Sequence, residues 1–206
     1  MIVSHEHRFI FVKTRKTAGT SIEVFLSKFA GDDAIVTPTI PAVEGHQPRN
    51  YNPTRLAMIS RLHLGREYWN HMPARKIRAR LGPERWDSYF TFAFERNPWE
   101  KTISQYFWER ARARDMSFRE FVLHHRLYSD FDRYSLDGVT VGVDFVGLTE
   151  RLNEDLRHVI DHLGIRADVS LGREKGNLRP PEATAADLFD AETSHRVATI
   201  FAREIA

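Results

Sequence analysis

The chain alternates between short apolar runs and longer amphipathic segments, beginning close to the N-terminus. Phe9–Val12 is a run of four apolar residues without polar alternation, which predicts a strand buried on both faces. From Thr20 onward the apolar residues recur at the spacing of a single helix face: Ile22, Phe25, Leu26 and Phe29. Gly31 is a typical stop signal. Residues 9–29 are therefore predicted to form a strand, a tight turn and a helix.

The same order recurs twice. Tyr89–Phe94 and Val143–Leu148 are apolar runs typical of strands, and each precedes an amphipathic segment. Asn97 and Thr149 are suitable N-caps for the two helices that follow, and Pro98 fits a first helical turn. Two further helices are predicted over residues 73–81 and 191–205. This alternation predicts a three-layer α/β/α fold around a central, mainly parallel sheet, with ligands at the carboxyl ends of the strands.

The length of 206 residues favours one domain over residues 1–206. Within it, residues 31–70 carry most of the proline and glycine punctuation and no long periodic segment. Long loops in a compact domain are usually functional, and this one contains scattered aromatic and aliphatic residues. We therefore expect residues 31–70 to form a packed lid on the acceptor side of the site.

Composition narrows the class of protein only modestly. The chain has no cysteine, which excludes disulfides, thiolate zinc sites and a cysteine nucleophile. A formal net charge of +2, with acidic and basic residues interspersed, gives no reason to expect a nucleic-acid partner. No apolar run approaches the roughly 20 residues of a membrane span, and residues 1–8 do not resemble a signal peptide. We expect a cytoplasmic protein.

The first predicted turn has the chemistry of an anion-binding site. A helix N-terminus exposes backbone N–H groups, and its dipole favours an anion. The turn and the start of the helix concentrate a cation, a small residue, a glycine and three hydroxyls within six positions: Lys16, Thr17, Ala18, Gly19, Thr20 and Ser21. The common nucleotide loop G-x-x-x-x-G-K-[ST] is absent. An ordinary strand–helix connection with incidental capping is the alternative.

The second predicted turn adds further side chains that could bind an anion. Arg96 follows a strand directly and offers a planar fork suited to phosphate, and Ser104 lies about two turns into the next helix. Taken alone, these residues fit a structural Arg–carboxylate pair and a solvent-facing serine better than they fit an anion site.

The segments "KTAGTS" and "FERNPWEKTISQYFW", in this order, resemble the two cofactor motifs of sulfotransferases that use 3′-phosphoadenosine-5′-phosphosulfate (PAPS). The variant is most similar to the bacterial and carbohydrate-type branch, whose motifs read P-K-T-A-G-T-S and R-N-P-x-[DE]-[KR]-x-x-S. The resemblance extends to "VDFVGLTERLNEDL" and to the late "REKGNLR". It implies a P-loop-like fold and transfer of a sulfuryl group to a hydroxyl or amine. Arg15 stands where proline commonly precedes the lysine, which leaves the loop conformation open.

The resemblance also implies a division of roles. Lys16 to Ser21 would hold the 5′-phosphosulfate, with Lys16 also steadying the leaving oxygen, while Arg96 and Ser104 would hold the 3′-phosphate. The late loop would close over the nucleotide through Lys175, Gly176 and Arg179, although a solvated charged loop is an alternative. The product would be 3′,5′-adenosine bisphosphate. No metal is expected.

A general base would take the proton from the acceptor hydroxyl or amine during transfer. By analogy with cytosolic sulfotransferases, the resemblance implies His71, which lies 25 residues before Arg96. Glu44 and His46 are the alternatives, since carbohydrate sulfotransferases sometimes use a glutamate. Tyr68 and Trp69 are candidate stacking surfaces for an acceptor. The tryptophans near the motifs, Trp108 included, are expected to be mostly core residues.

Two rival classes remain. A P-loop-type kinase or NTPase would need an acidic magnesium ligand at a strand end, and Glu95 is the only candidate there. A non-catalytic nucleotide-binding protein would not need His71. The acceptor is expected to be a small molecule or a carbohydrate, and the sequence specifies neither its identity nor the oligomeric state.

Overall fold

The computed structural model describes residues 1–51, 67–111, 116–171, 179–180 and 183–206. Within these ranges, five strands form one sheet in the order β3-β1-β2-β4-β5. Their bounds are β1 Ile2–Ser4, β2 Phe9–Val12, β3 Ile35–Val36, β4 Phe90–Glu95 and β5 Phe145–Leu148. β2, β4 and β5 are parallel neighbours, whereas β1 pairs antiparallel with both β2 and β3. The sheet is therefore mixed, with a parallel core.

The helices of the described ranges lie between and after these strands. Their bounds are α1 Gly19–Ser27, α2 Ala74–Leu81, α3 Pro83–Ser88, α4 Pro98–Arg110, α5 Phe118–His124, α6 Phe131–Tyr134, α7 Leu152–His162, α8 Ala185–Leu188, α9 Ala191–Ile200 and α10 Ala202–Ile205. A 3₁₀ turn over Thr149–Arg151 precedes α7. None of the helices in the described segments is long and apolar enough to cross a membrane.

Side chains of β2 divide between the two faces of the sheet, because successive residues of a strand point to opposite sides. Phe9 and Phe11 pack with α1 and α7 on one face, and Ile10 and Val12 pack with α2, α3 and α6 on the other. All four are fully buried. A third apolar cluster joins α4, α5 and α9 around Tyr106. This is the three-layer α/β/α architecture that the alternating pattern predicts.

The predicted parallel strands and the helices that follow them are confirmed, with ends shifted by one or two residues. Asn97 caps α4 by accepting hydrogen bonds from the backbone N–H groups of Trp99 and Glu100. Thr149, in contrast, does not cap α7. Its hydroxyl donates to the carbonyl of Glu95 (2.9 Å) and so joins the ends of β5 and β4.

One further expectation needs correction. The single helix over residues 191–205 is interrupted at Phe201, a buried residue whose φ of −100° and ψ of 22° lie outside the helical range. The described part of the segment 31–70 contains one short strand of the sheet, Ile35–Val36. Residues 52–66 of that segment lie outside the described ranges.

Candidate functional site

The candidate site begins where β2 and β4 end side by side. Phe11 pairs with Phe92 and Val12 with Ala93, so the turns that follow the two strands leave the same edge of the sheet. The hydroxyl of Thr14 donates to the carbonyl of Phe94 and contacts the hydroxyl of Thr17 at 2.8 Å. This contact holds the first turn against the end of the neighbouring strand.

The backbone of the first turn is shaped for an anion. Lys16 and Ala18 both have positive φ, 64° and 56°, a conformation that costs a non-glycine residue about 1–2 kcal/mol. Where left-handed and right-handed residues alternate, successive backbone N–H groups point to one side and form a concave site that binds anions. Among the described residues, no side-chain hydrogen bond caps α1, and the first turn of this helix has no acidic residue. The start of α1 thus keeps the donors and dipole that attract an anion.

A buried ion pair lies behind this turn. The ammonium of Lys13 contacts the carboxylate of Glu23, which the amino group of Met1 also contacts. Burial alone would raise the pKa of Glu23, but these two cations lower it to about 2. The charge of Lys13 is therefore neutralised internally. Lys16, in the turn itself, is the better candidate for a cation that can move with a bound anion.

Gly19 is required by the path of the Lys13 side chain. A Cβ atom at position 19 would lie 2.9 Å from Cγ and 3.1 Å from Cε of Lys13, closer than carbon atoms normally approach. Thr17 is fully buried against Thr14, and Lys13 Nζ lies 3.4 Å from the Thr20 hydroxyl. The hydroxyls of Thr17 and Thr20 thus also make contacts within the protein.

Helix α4 forms the opposite side of the site from Lys16. The ammonium of Lys16 lies 5.2 Å from the centroid of the Trp108 ring, a cation–π distance. Ser104 and Trp108 are four residues apart, share one face of α4 and are half-buried. Trp108 is thus not the core residue expected from the sequence, and it faces the candidate anion turn.

Two guanidinium groups meet at Glu100. Arg96 Nη2 lies 3.3 Å and Arg179 Nη1 2.5 Å from the same carboxylate oxygen of Glu100. The pKa of Arg96 is lowered by its burial, which Glu100 opposes and Arg179 reinforces. The fold therefore brings Arg179 beside Arg96, with the carboxylates of Glu100 and Glu150 near them. Lys175 and Gly176 lie outside the described residues.

Arg15 has a partner that sequence reasoning missed. Its backbone N–H donates to Asp130 Oδ2 (2.6 Å) and its Nε donates to Asp130 Oδ1 (2.8 Å). The guanidinium also stacks over Tyr128, 4.1 Å from the ring centroid. Proline at this position would remove both the N–H and the cation. The side chain of Arg15 is therefore held by Asp130 and Tyr128.

His71 lies against the beginning of the anion turn. Its Nδ1 is 3.2 Å from the carbonyl oxygen of Lys13, and its φ of 59° is left-handed. Because a carbonyl only accepts, Nδ1 carries the proton and Nε2 keeps its lone pair. Burial, followed by the charges of Lys13 and Arg133, lowers the pKa of His71 to about 3. The imidazole is neutral at physiological pH.

The remaining acceptor-side candidates have different surroundings. Tyr68 and Trp69 are 4% and 8% exposed and belong to the core cluster on the α2 side. Lys76 and Arg80 also lie over the Trp69 ring, so these aromatics have packing roles in this structure. His46 is a buried imidazole 3.9 Å from the Glu23 carboxylate, and burial lowers its pKa. Glu44 is exposed.

Glu95, the candidate magnesium ligand if the protein were a kinase, forms an ion pair with Lys101. Its Oε1 accepts from Lys101 Nζ at 2.6 Å and from the Arg96 backbone N–H at 2.9 Å. Burial raises the pKa of Glu95 to about 7, against the attraction of Lys101. Over the described ranges, no group of three or more histidine, aspartate or glutamate side chains is arranged to hold a metal ion.

Comparisons with known proteins agree with this architecture. The chain is 38% identical over 106 residues to an uncharacterized protein of Archaeoglobus fulgidus, covering 48% of this chain and 88% of that one. The fold is similar to the crystal structure of a sulfotransferase from Alicyclobacillus acidocaldarius, with a TM-score of 0.51 and 16% identity over 95% of this chain and 91% of the other. A family model described as "Sulfotransferase family" matches residues 1–204. The chain belongs to the sulfotransferase family.

Proposed function

We propose that this protein transfers the sulfuryl group of PAPS to a hydroxyl or amine of a small-molecule or carbohydrate acceptor. The observation that carries the proposal is the presence of two centres of anion-binding donors at one edge of the sheet. One is the uncapped start of α1 with Lys16, and the other is the Arg96–Arg179 pair on Glu100. A nucleotide with anionic groups at both its 5′ and 3′ positions matches two such centres.

The donor fits the residues present. The left-handed backbone at Lys16 and Ala18, with no acid in the first turn of α1, suits the 5′-phosphosulfate. Arg96 and Ser104 would bind the 3′-phosphate, and Arg179 would join Arg96 because both already lie at Glu100. Two guanidinium groups at one place support a phosphate partner there, since guanidinium groups bind phosphate through paired hydrogen bonds.

When bound, the donor supplies a sulfuryl group and a phosphate leaving group. The protein's contribution is positioning and electrostatic stabilisation, as in phosphoryl transfer. Lys16 would neutralise charge that develops on the leaving oxygen, because its ammonium is compact and on a flexible stem. The Trp108 ring beneath that ammonium would keep the Lys16 side chain between the anion turn and α4.

His71 is the proposed general base, with Glu44 and His46 as the alternatives. Donation from Nδ1 to the Lys13 carbonyl leaves Nε2 as the acceptor of a proton. The contact also holds the imidazole beside the anion turn. A pKa near 3 in the free protein keeps the base form fully populated at neutral pH, although it lowers basicity. An anion bound at the turn would raise this pKa by offsetting the nearby cations.

The test is thermal stabilisation by 3′,5′-adenosine bisphosphate, compared with ADP and with ATP plus magnesium. A ligand at 100 times its Kd stabilises a protein by about 2.7 kcal/mol, which a melting curve resolves. Arg96→Ala should reduce bisphosphate affinity roughly tenfold or more, since a hydrogen bond to a charged group contributes about 1.5–3 kcal/mol.

Arg78→Ala is the matched control, because Arg78 pairs with Asp87 on the surface, away from Arg96. It should leave bisphosphate affinity unchanged. Preference for ATP with magnesium would favour the kinase alternative, and the absence of any nucleotide response would overturn the donor assignment.

A further inference from the structure

Asp130 is a fully buried carboxylate that contacts three cations. Its Oδ1 accepts from Arg15 Nε at 2.8 Å and from Arg133 Nε at 2.6 Å, and its Oδ2 lies 3.2 Å from Lys101 Nζ. Burial alone would raise the pKa of Asp130, but these cations lower it to about 2. Asp130 therefore stays ionised at neutral pH.

The partners of Asp130 lead to two different parts of the candidate site. On one side, Asp130 holds both the backbone N–H and the side chain of Arg15, the residue directly before Lys16. On the other side, Arg133 binds Asp130 through Nε and donates through Nη1 to the carbonyl of His71. One carboxylate thus connects the anion turn with the loop that carries the proposed base.

The position of Asp130 is itself fixed by the C-terminal helix. A single oxygen of Glu204, in α10, accepts from the backbone N–H groups of Asp130 and Phe131, at 2.9 and 3.1 Å. The hydroxyl of Ser129 donates to the same oxygen at 2.7 Å. The start of the short helix α6 is therefore anchored, and Asp130 can act as a rigid reference point.

We propose that Asp130 is a positioning residue that holds the anion turn, through Arg15, and the base His71, through Arg133, in one fixed relation. The proposal rests on the proposed function above, in which these two parts act on the same transfer. Asp130 touches neither donor nor acceptor in this assignment. Its role differs from that of a general stability residue because its loss should disturb two defined places at once.

The first test compares Asp130→Asn with Asp132→Asn. Both are changes of aspartate to asparagine near α6, but Asp132 is exposed and pairs only with the surface Arg203 among the contacts described for it. Two readouts need no ligand: the pH titration of the His71 ring by NMR, and amide hydrogen exchange at residues 15–19.

We expect Asp130→Asn to admit water to the His71 loop, so that the pKa of His71 rises toward its ordinary value near 6.5. Burial is the largest cause of the lowered pKa, so its relief should outweigh the loss of the Asp130 charge, which raises the pKa of His71. Amide exchange in the anion turn should accelerate at the same time. Bisphosphate affinity should fall roughly tenfold and kcat roughly a hundredfold, because misplacement of about 1 Å costs that much. Asp132→Asn should match the wild type in all four measurements.

Two further variants test the contacts of Asp130 with Arg133 and with Arg15 separately. Arg133→Gln should change the titration of His71 and lower kcat, while amide exchange at the turn and bisphosphate affinity stay at wild-type values. Arg15→Gln should do the reverse. Both positions are partly accessible, so this pair provides the answer if Asp130→Asn does not fold.

Wild-type behaviour of both the His71 titration and turn exchange in folded Asp130→Asn would overturn the proposal. Equal effects of Arg133→Gln and Arg15→Gln on all readouts would also overturn it, because that pattern indicates general loosening. If the wild type itself does not bind the bisphosphate, the proposed donor is wrong, and the positioning role is decided on the ligand-free readouts.

Discussion

At the scale of single residues, the backbone at His71 decides which substitution is informative. Its φ of 59° is left-handed, and asparagine is among the few residues that adopt this region readily. His71→Asn should therefore keep the loop while removing the base. We expect kcat to fall roughly 10²–10⁴-fold with bisphosphate affinity nearly unchanged. His124→Asn, at the exposed end of α5, is the matched control; unchanged kcat in His71→Asn would direct attention to Glu44 or His46.

The pH dependence of the reaction follows from the same residue. Because the pKa of His71 is lowered to about 3, the neutral base form persists well below its ordinary pKa of 6.5. The acid limb of kcat/KM, which reports the free protein, should then lie far below pH 6.5. The acid limb of kcat should lie higher, since bound anions favour the protonated imidazole. A kcat/KM limb between pH 6 and 7 that His71→Asn abolishes would contradict this assignment.

At the scale of elements, the connection between β2 and α1 depends on Gly19. In Gly19→Ala the new methyl group would press on the Lys13 side chain, which is held by Glu23 and cannot move freely. We expect a loss of about 1–3 kcal/mol in unfolding free energy, typical of overpacking, together with weaker bisphosphate binding.

Gly164→Ala separates these two effects. Gly164 has a φ of +67° and nothing within 4 Å of an added Cβ, so its substitution strains the backbone without touching the anion turn. It should lose stability and retain bisphosphate affinity, as measured by denaturation and by calorimetry. If Gly19→Ala also keeps full affinity, the packing of Lys13 against α1 does not shape the anion site.

The elements differ in how far the sequence could predict them. Hydrophobic patterning detects β2 and β4 as continuous apolar runs, and α1 and α4 by their periodic apolar faces. β1 and β3 have three and two residues, too few for any period, and form because neighbouring strands offer hydrogen-bond partners. Local motifs likewise indicate Lys16 and Arg96 as candidate anion-binding residues. The Arg15–Asp130 pair could not be predicted, because only the fold joins residues 115 positions apart.

At the scale of the whole molecule, Glu95 should make stability depend on pH. Its pKa is raised from 4.5 to about 7, so the folded protein binds its proton more tightly than the unfolded chain. This contribution to stability is fully present below pH 4.5 and is lost as the pH rises through 7, by about 3 kcal/mol.

Glu95→Gln removes this dependence and tests it. Relative to the wild type, the variant's free energy of unfolding should increase between pH 4.5 and 7, as measured by denaturant titration at several pH values. Glu84→Gln, an exposed residue of α3, is the control and should give a flat difference. A flat difference for Glu95→Gln would mean that Lys101 compensates the buried carboxylate fully.

The contact between Lys16 and Trp108 gives the protein an intrinsic optical reporter. Among the four tryptophans, Trp69 and Trp86 are buried in the core and Trp99 is held by Ser194, whereas Trp108 lies beneath a cation at the candidate site. A ligand that draws the Lys16 ammonium away changes the charge above the indole and therefore its fluorescence emission. Occupancy of the anion turn can then be followed in real time without a label, and the signal should vanish in Trp108→Phe.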